Sequence, residues 1–222
     1  MAPHVSPLTR NARLALLRGP YVIVNDGHGS PDPVDIVRAC IGAGVHVVQY
    51  RAKRGIDVAR LRALRGITAE TGTLLVVNDD IEAALAFDCD GVHLGPDDGA
   101  FGGLDLVRER SIDRLIGVSA GTPEEARAAQ AAGADYIGIG AVFATASKVD
   151  AGAPIGLDGL RAVAAACDLP AAAIGGIGAA NMAEIARTGV AMAAVISAVA
   201  SAPDPAAAAR ELVAIWNRER CE

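Results

Sequence analysis

Leu74-Leu75-Val76-Val77-Asn78-Asp79 and, one short helix later, Gly91-Val92-His93-Leu94-Gly95-Pro96-Asp97-Asp98 are the two runs that decide how this chain is read. Each is a brief apolar stretch that stops abruptly at polar residues. Short aliphatic runs closed in this way read as strands buried on both faces, the signature of a parallel sheet. Each strand then delivers a carboxylate at its C-terminal end, Asp79 and Asp98. In a closed α/β barrel that end carries the chemistry. Two hard oxygen donors facing one another across a pocket floor, with room for water and phosphate oxygens, suit Mg²⁺.

The same unit repeats in both directions. Upstream, strands are expected over 21–24 and 45–48, with helices over 33–43 and 57–71. Downstream, strands are expected over 114–118, 134–139, 171–174 and 190–196. The helices among them start near 104, at Thr122-Pro123-Glu124-Glu125, and near 158, 180 and 205. Thr122 is a cap, Pro123 takes the first helical position, and the two acids sit at the positive end of the helix dipole. Helices between successive strands require parallel strands with right-handed crossovers. Eight such units match an α/β fold of the (β/α)₈ TIM-barrel type as a single domain. The boundaries expected are an N-terminal arm or helix over 1–20 and the barrel over 21–222. A doubly wound open sheet fits less well. Its glycine fingerprint follows the first strand, whereas here Gly175-Gly176-Ile177-Gly178 follows the seventh.

Composition narrows the function. Hydrophobic residues make up 52% of the 222 positions, enough for a large core almost without aromatics. A net charge of −6 argues against a nucleic-acid binder. No apolar run approaches the roughly 18 residues of a membrane span. Residues 1–19 are basic, but their apolar part is too short for a secretory leader. The four cysteines, Cys40, Cys89, Cys167 and Cys221, show no CxxC spacing. Cys40 and Cys167 fall on helix faces, where a small buried apolar residue is expected. A reduced, cytoplasmic protein follows. The sequence leaves open whether it forms a homo-oligomer.

The chemistry-bearing residues lie at strand ends. The glycines after the seventh strand, and Val195-Ile196-Ser197 after the eighth, would let backbone N–H groups approach a phosphate. Gln49, Arg51 and Lys53 alternate, so they point the same way if the second strand is still extended there. Arg51 can grip a phosphate in bidentate fashion, and Lys53 adds a point charge. Lys148 follows two hydroxyls, Thr145 and Ser147, in the one long loop, 140–157, and loops of this length inside a compact barrel are usually functional. His46 and His93 lie within strands and read as internally hydrogen-bonded barrel histidines. No nucleophile–base pair stands out.

Taken together, these strings resemble the thiamine phosphate synthase family. The resemblance is carried by Gln49-Tyr50-Arg51-Ala52-Lys53, Val77-Asn78-Asp79, Gly91-Val92-His93-Leu94-Gly95 with Asp98, and Ile116-Gly117-Val118-Ser119. Gly133-Ala134-Asp135-Tyr136, 140–148, Ala173-Ile174-Gly175-Gly176-Ile177 and Val195-Ile196-Ser197-Ala198 complete it. It runs from about Tyr21 to Trp216, with one motif at each strand end. The resemblance implies that a hydroxymethylpyrimidine diphosphate loses pyrophosphate to the ring nitrogen of a thiazole phosphate, giving thiamine phosphate. It implies that Gln49, Tyr50, Arg51, Ala52, Lys53, Asn78, Ser119 and Lys148 contact the pyrimidine diphosphate. Among these, Arg51, Lys53, Lys148 and Ser119 would act in catalysis. Thr145, Ala146, Ser147, Gly176, Ile196 and Ser197 would contact the thiazole phosphate. Asp79 and Asp98 would hold Mg²⁺. The partners expected are phosphorylated small molecules, with no nucleic acid and no membrane.

The chain departs from the family pattern at Pro96 (usually Gln), Gly121 (often His), Ala141 and Ala144 (prolines) and Ser147 (Thr). The lost prolines bear on loop rigidity more than on chemistry. Three alternatives follow from the same barrel: a thiazole tautomerase-like paralogue, a phosphosugar-type barrel isomerase, and a non-catalytic barrel that binds a phosphorylated ligand. The tautomerase pattern uses a His at the position of Gly121.

Overall fold

The computed structural model describes residues 8–27, 31–95, 104–110, 113–145, 147 and 152–220. Eight strands pair in parallel, each with the next and the last with the first, into a closed barrel. They are β1 (Gly19–Asn25), β2 (Val47–Arg51), β3 (Leu74–Asn78), β4 (Gly91–Leu94), β5 (Leu115–Ser119), β6 (Tyr136–Ile139), β7 (Ala171–Ile174) and β8 (Met192–Val195). Ahead of β1 comes α1 (Arg10–Leu14); between the strands run α2 (Pro33–Gly42), α3 (Val58–Thr71), α4 (Ile81–Ala86), α5 (Leu104–Arg110), α6 (Pro123–Ala131), α7 (Gly156–Ala164) and α8 (Met182–Arg187). After β8 come α9 (Ser197–Ala200) and α10 (Pro205–Arg220). No described helix is long and apolar enough to cross a membrane.

Alternation along each strand divides the apolar residues into two cores. Val22, Val24, Val48, Leu75, Val77, Ile116 and Ile137 point outward under the helices. Tyr21, Ile23, Val47, Leu74, Val76, Leu115, Tyr136 and Met192 fill the barrel. Helix starts follow the expected chemistry. Thr122 caps α6 by accepting from Glu125 N–H at 3.2 Å, with Pro123 in the first turn. Asp32, Asp57 and Asp80 do the same for α2, α3 and α4.

Strand β2 starts and ends later than the expected 45–48 and carries Gln49 and Arg51 within the ladder, opposite Ile23 and Asn25 of β1. The basic segment ahead of β1, expected as an arm or a helix, contains α1 and packs against the barrel. Leu17 is buried inside the barrel, with Leu8, Leu14 and Leu16 packed on the same cluster. Arginines one helical turn apart on α1 reach buried carboxylates: Arg10 Nε donates to Asp135 at 2.6 Å and Arg13 Nε to Asp90 at 3.0 Å. This helix closes the N-terminal mouth and leaves the C-terminal mouth for ligands.

Candidate active site

One cavity of about 1000 Å³ opens at the C-terminal ends of the strands. This is the upper end of the range for small-molecule sites. Each wall comes from a different strand end. β2 supplies Gln49 and Arg51, and Lys53 follows in the next turn. β3 supplies Asn78, and the first residue past it is Asp79. β5 ends in Ser119, and the far wall holds Thr145, Ser147, Gly176, Ile196 and Ser197. All of these are positions expected from the sequence.

Tyr50 and Ala52 take a different place. In a strand the parity that points Gln49 and Arg51 inward points Tyr50 outward. Its ring is fully buried in the outer core, and its hydroxyl donates to Asp26. Ala52 packs on the same outer cluster. Asp98, Ala146 and Lys148 lie outside the described residues, as does Pro96.

Arg51 is steered by its neighbour on β1, donating from Nη1 to Asn25 Oδ1 at 3.4 Å. Behind it, Asp26 holds the strand end. Its backbone N–H donates to Arg51 O at 2.8 Å, and its carboxylate accepts from Arg60 at 2.5 Å as well as from Tyr50. Burial alone would raise the Asp26 pKa, but the Tyr50 hydroxyl and Arg60 guanidinium outweigh it and hold the carboxyl below its usual value.

Asp79 adopts a left-handed backbone with φ of 64°. That region is uncommon for a residue with a side chain, though Asp tolerates it better than most. The twist lets the chain leave β3 while the exposed carboxylate stays on the cavity wall, where it accepts from the Asn78 amide. Among the described residues no group of three or more His, Cys, Asp or Glu side chains could cage a metal. One or two carboxylates supplemented by water and phosphate oxygens is nevertheless the donor set Mg²⁺ favours, and Asp79 fits it.

The glycine pair, expected to admit an anion, also serves the packing of the rim. A Cβ on Gly175 would come within 2.7 Å of Ala141 Cα, and one on Gly176 within 2.5 Å of Ala144 O. The missing side chains let the loop after β6 lie against the end of β7, where Val142 N–H donates to Ile174 O at 2.8 Å and Phe143 N–H to Gly175 O at 3.0 Å. The same packing brings Thr145 and Ser147 beside Gly176 and Ser197 on one wall.

The floor was only partly visible in the sequence. Gln49 Nε2 donates to Tyr21 Oη at 2.7 Å, and Tyr21 Oη lies 3.1 Å from Tyr136 Oη. Tyr136 Oη lies 3.1 Å from His93 Nδ1, and His93 Nε2 lies 3.2 Å from Ser119 Oγ. His93 is internally bonded as expected, yet it also lines the cavity. Gly117, which pairs with both His93 and Tyr136, makes the row possible: a Cβ there would overlap the Tyr136 ring.

A profile of the thiamine monophosphate synthase family matches residues 20–199. This chain belongs to that family. A thiamine-phosphate synthase from Moorella thermoacetica is 42% identical over 207 residues, covering 90% of this chain and 96% of the relative. The solved thiamine phosphate pyrophosphorylase from Pyrococcus furiosus superposes with a TM-score of 0.82 at 36% identity, over 92% of this chain and 98% of that one. The 3-hexulose-6-phosphate synthase of Salmonella typhimurium, at 16% identity, a TM-score of 0.68 and coverage of 89% and 99%, shares the barrel alone. Within the thiamine monophosphate synthase family this chain is an enzyme, a transferase of thiamine biosynthesis.

Proposed function

We propose that this enzyme joins the exocyclic carbon of 4-amino-2-methyl-5-hydroxymethylpyrimidine diphosphate to the ring nitrogen of hydroxyethylthiazole phosphate. Thiamine phosphate and pyrophosphate are the products. The observation that carries the reading is that two separate walls of one cavity bring groups suited to anions: Arg51 and Lys53 after β2, and Gly176, Ser197, Thr145 and Ser147 around β7 and β8. Two phosphorylated ligands can then lie together over a common floor.

The C–O bond to the diphosphate breaks with its electron pair, and negative charge grows on the departing oxygens. Arg51 and Lys53 offset that charge, with Lys148 from the loop, an electrostatic strategy that needs no nucleophile. Asp79, with Asp98, would hold Mg²⁺, which when bound supplies further neutralisation of the diphosphate oxygens. The aminopyrimidine rests on the floor near Gln49, Asn78 and Ser119. Thr145, Ala146, Ser147, Gly176, Ile196 and Ser197 hold the thiazole phosphate with its nitrogen toward the breaking bond. Holding both reactants in one orientation supplies much of the rate. Gly121 carries no side chain to move a proton on the thiazole, which sets the tautomerase alternative aside.

Mixing both substrates with Mg²⁺ and following thiamine phosphate by chromatography tests the proposal. Product that depends on both substrates and disappears with excess EDTA is expected. Full activity in EDTA would remove the metal role, and no product would reject the reaction.

A further inference from the structure

The floor hydrogen bonds have a direction. Tyr21 and Tyr136 are both fully buried, and burial raises the pKa of each phenol well above its ordinary value. Each therefore keeps one proton to donate. Tyr21 accepts from Gln49 Nε2, so its own O–H goes to Tyr136 Oη. Tyr136 must then donate to His93 Nδ1, because a buried O–H without an acceptor is costly. An imidazole accepting at Nδ1 carries its proton at Nε2, and that N–H donates to Ser119 Oγ. The ends of the row follow from its interior. Gln49, its amide nitrogen turned to Tyr21, is left with Oε1 as an acceptor. Ser119 is left with its O–H as a donor beside one open lone pair. Both residues line the cavity, whereas Tyr136 is not among the lining residues.

We infer that Tyr136 is a positioning residue that sets the donor–acceptor pattern the floor offers a pyrimidine, acting with Tyr21 and His93 through Gln49 and Ser119. This rests on the pyrimidine reading of the floor given above. An aminopyrimidine brings an amine donor and a ring-nitrogen acceptor, which complement Gln49 Oε1 and the Ser119 hydroxyl. The 4-oxo counterpart brings a carbonyl acceptor and a ring N–H donor, the opposite pattern. Matching it as fully as the amine would require the row to reverse, since each phenol has a single proton; without reversal only the second Nε2–H of Gln49 and the spare lone pair of Ser119 meet it. The row thus selects amino over oxo pyrimidines as a unit, and a break at its centre uncouples the two ends.

The test has two arms. In the full-length protein without ligands, ¹⁵N NMR of the His93 ring should show the neutral Nε2–H tautomer, and an Nδ1–H tautomer would overturn the assignment. Calorimetry with the 4-amino and 4-oxo forms of 2-methyl-5-hydroxymethylpyrimidine diphosphate should show a preference for the amine. Tyr136→Phe keeps the ring, and should lower that preference about tenfold or more. The KM for the pyrimidine diphosphate should rise while that for thiazole phosphate stays put. Tyr21→Phe breaks the row one bond earlier and should do the same. An unchanged amine-to-oxo ratio in a folded variant of either kind would overturn the inference. Binding and NMR need no turnover, so failure to form thiamine phosphate would reject the proposed reaction without touching this result.

Discussion

At the N-terminal mouth of the barrel, the carboxylates of Asp90 and Asp135 are 4% and 0% exposed. Asp90 accepts from Arg13, Arg65 and the backbone N–H of Leu75. Asp135 accepts from Arg10, Arg108 and the N–H of Ile116. The second arrangement repeats the first two strand–helix units further on. At the C-terminal mouth, Asp79 is exposed on a left-handed backbone and shares a cavity with Arg51 and Lys53. One end of the barrel satisfies its charges with its own groups. The other points charge into the cavity. Charge at the first end supports the fold, and under the proposed reaction charge at the second serves chemistry, with Asp79 held on a left-handed backbone.

Replacing Asp135 breaks the comparison hardest. Asp135→Ala removes the carboxylate shared by Arg10, Arg108 and the Ile116 N–H, so denaturant unfolding should show a loss of about 3 kcal/mol. The activity per folded molecule should stay within about twofold, because nothing at the rim changes. A comparable loss of turnover in folded protein would mean that the two ends are not separable. Asp79→Ala is the reciprocal change. Steady-state kinetics should show turnover down about 100-fold or more, with thermal stability held.

Two smaller effects sharpen the contrast. Asp79→Gly should be as inactive as Asp79→Ala but about 1 kcal/mol more stable, because glycine takes the left-handed conformation without strain. Equal melting curves for the two would show that the backbone there is not strained. The smallest effect is expected at Asp26, whose charged partner Arg60 is partly exposed. Its carboxyl titrates below the usual value in the folded state, so the stability it contributes is present above the unfolded pKa. That stability is lost as pH falls through the folded pKa, below about pH 4. Asp26→Asn should therefore flatten the acid limb of a stability–pH profile, and an unaltered limb would show that the contacts with Tyr50 and Arg60 carry no net energy.

Sequence alone determined the architecture and most of the cavity wall. Apolar runs that end in polar residues repeat eight times, and a parallel barrel puts all eight ends on one rim. Asp79, Ser119, Gly176 and Ser197 therefore had to come close to one another, because strand parity and crossover handedness are local rules. Three things needed the folded chain. Tyr50 and Ala52 sit inside a matching motif, yet they pack outward, because parity within β2 separates neighbours that a motif treats alike. The Gly175–Gly176 pair reads as an anion cradle, but its bare Cα atoms are also filled by the loop after β6. The row from Gln49 through Tyr21, Tyr136 and His93 to Ser119 draws on five strands up to 115 residues apart in the chain. No spacing rule encodes such a row. It exists because closing the barrel brings inward residues of different strands to one level, where buried hydroxyls must find partners.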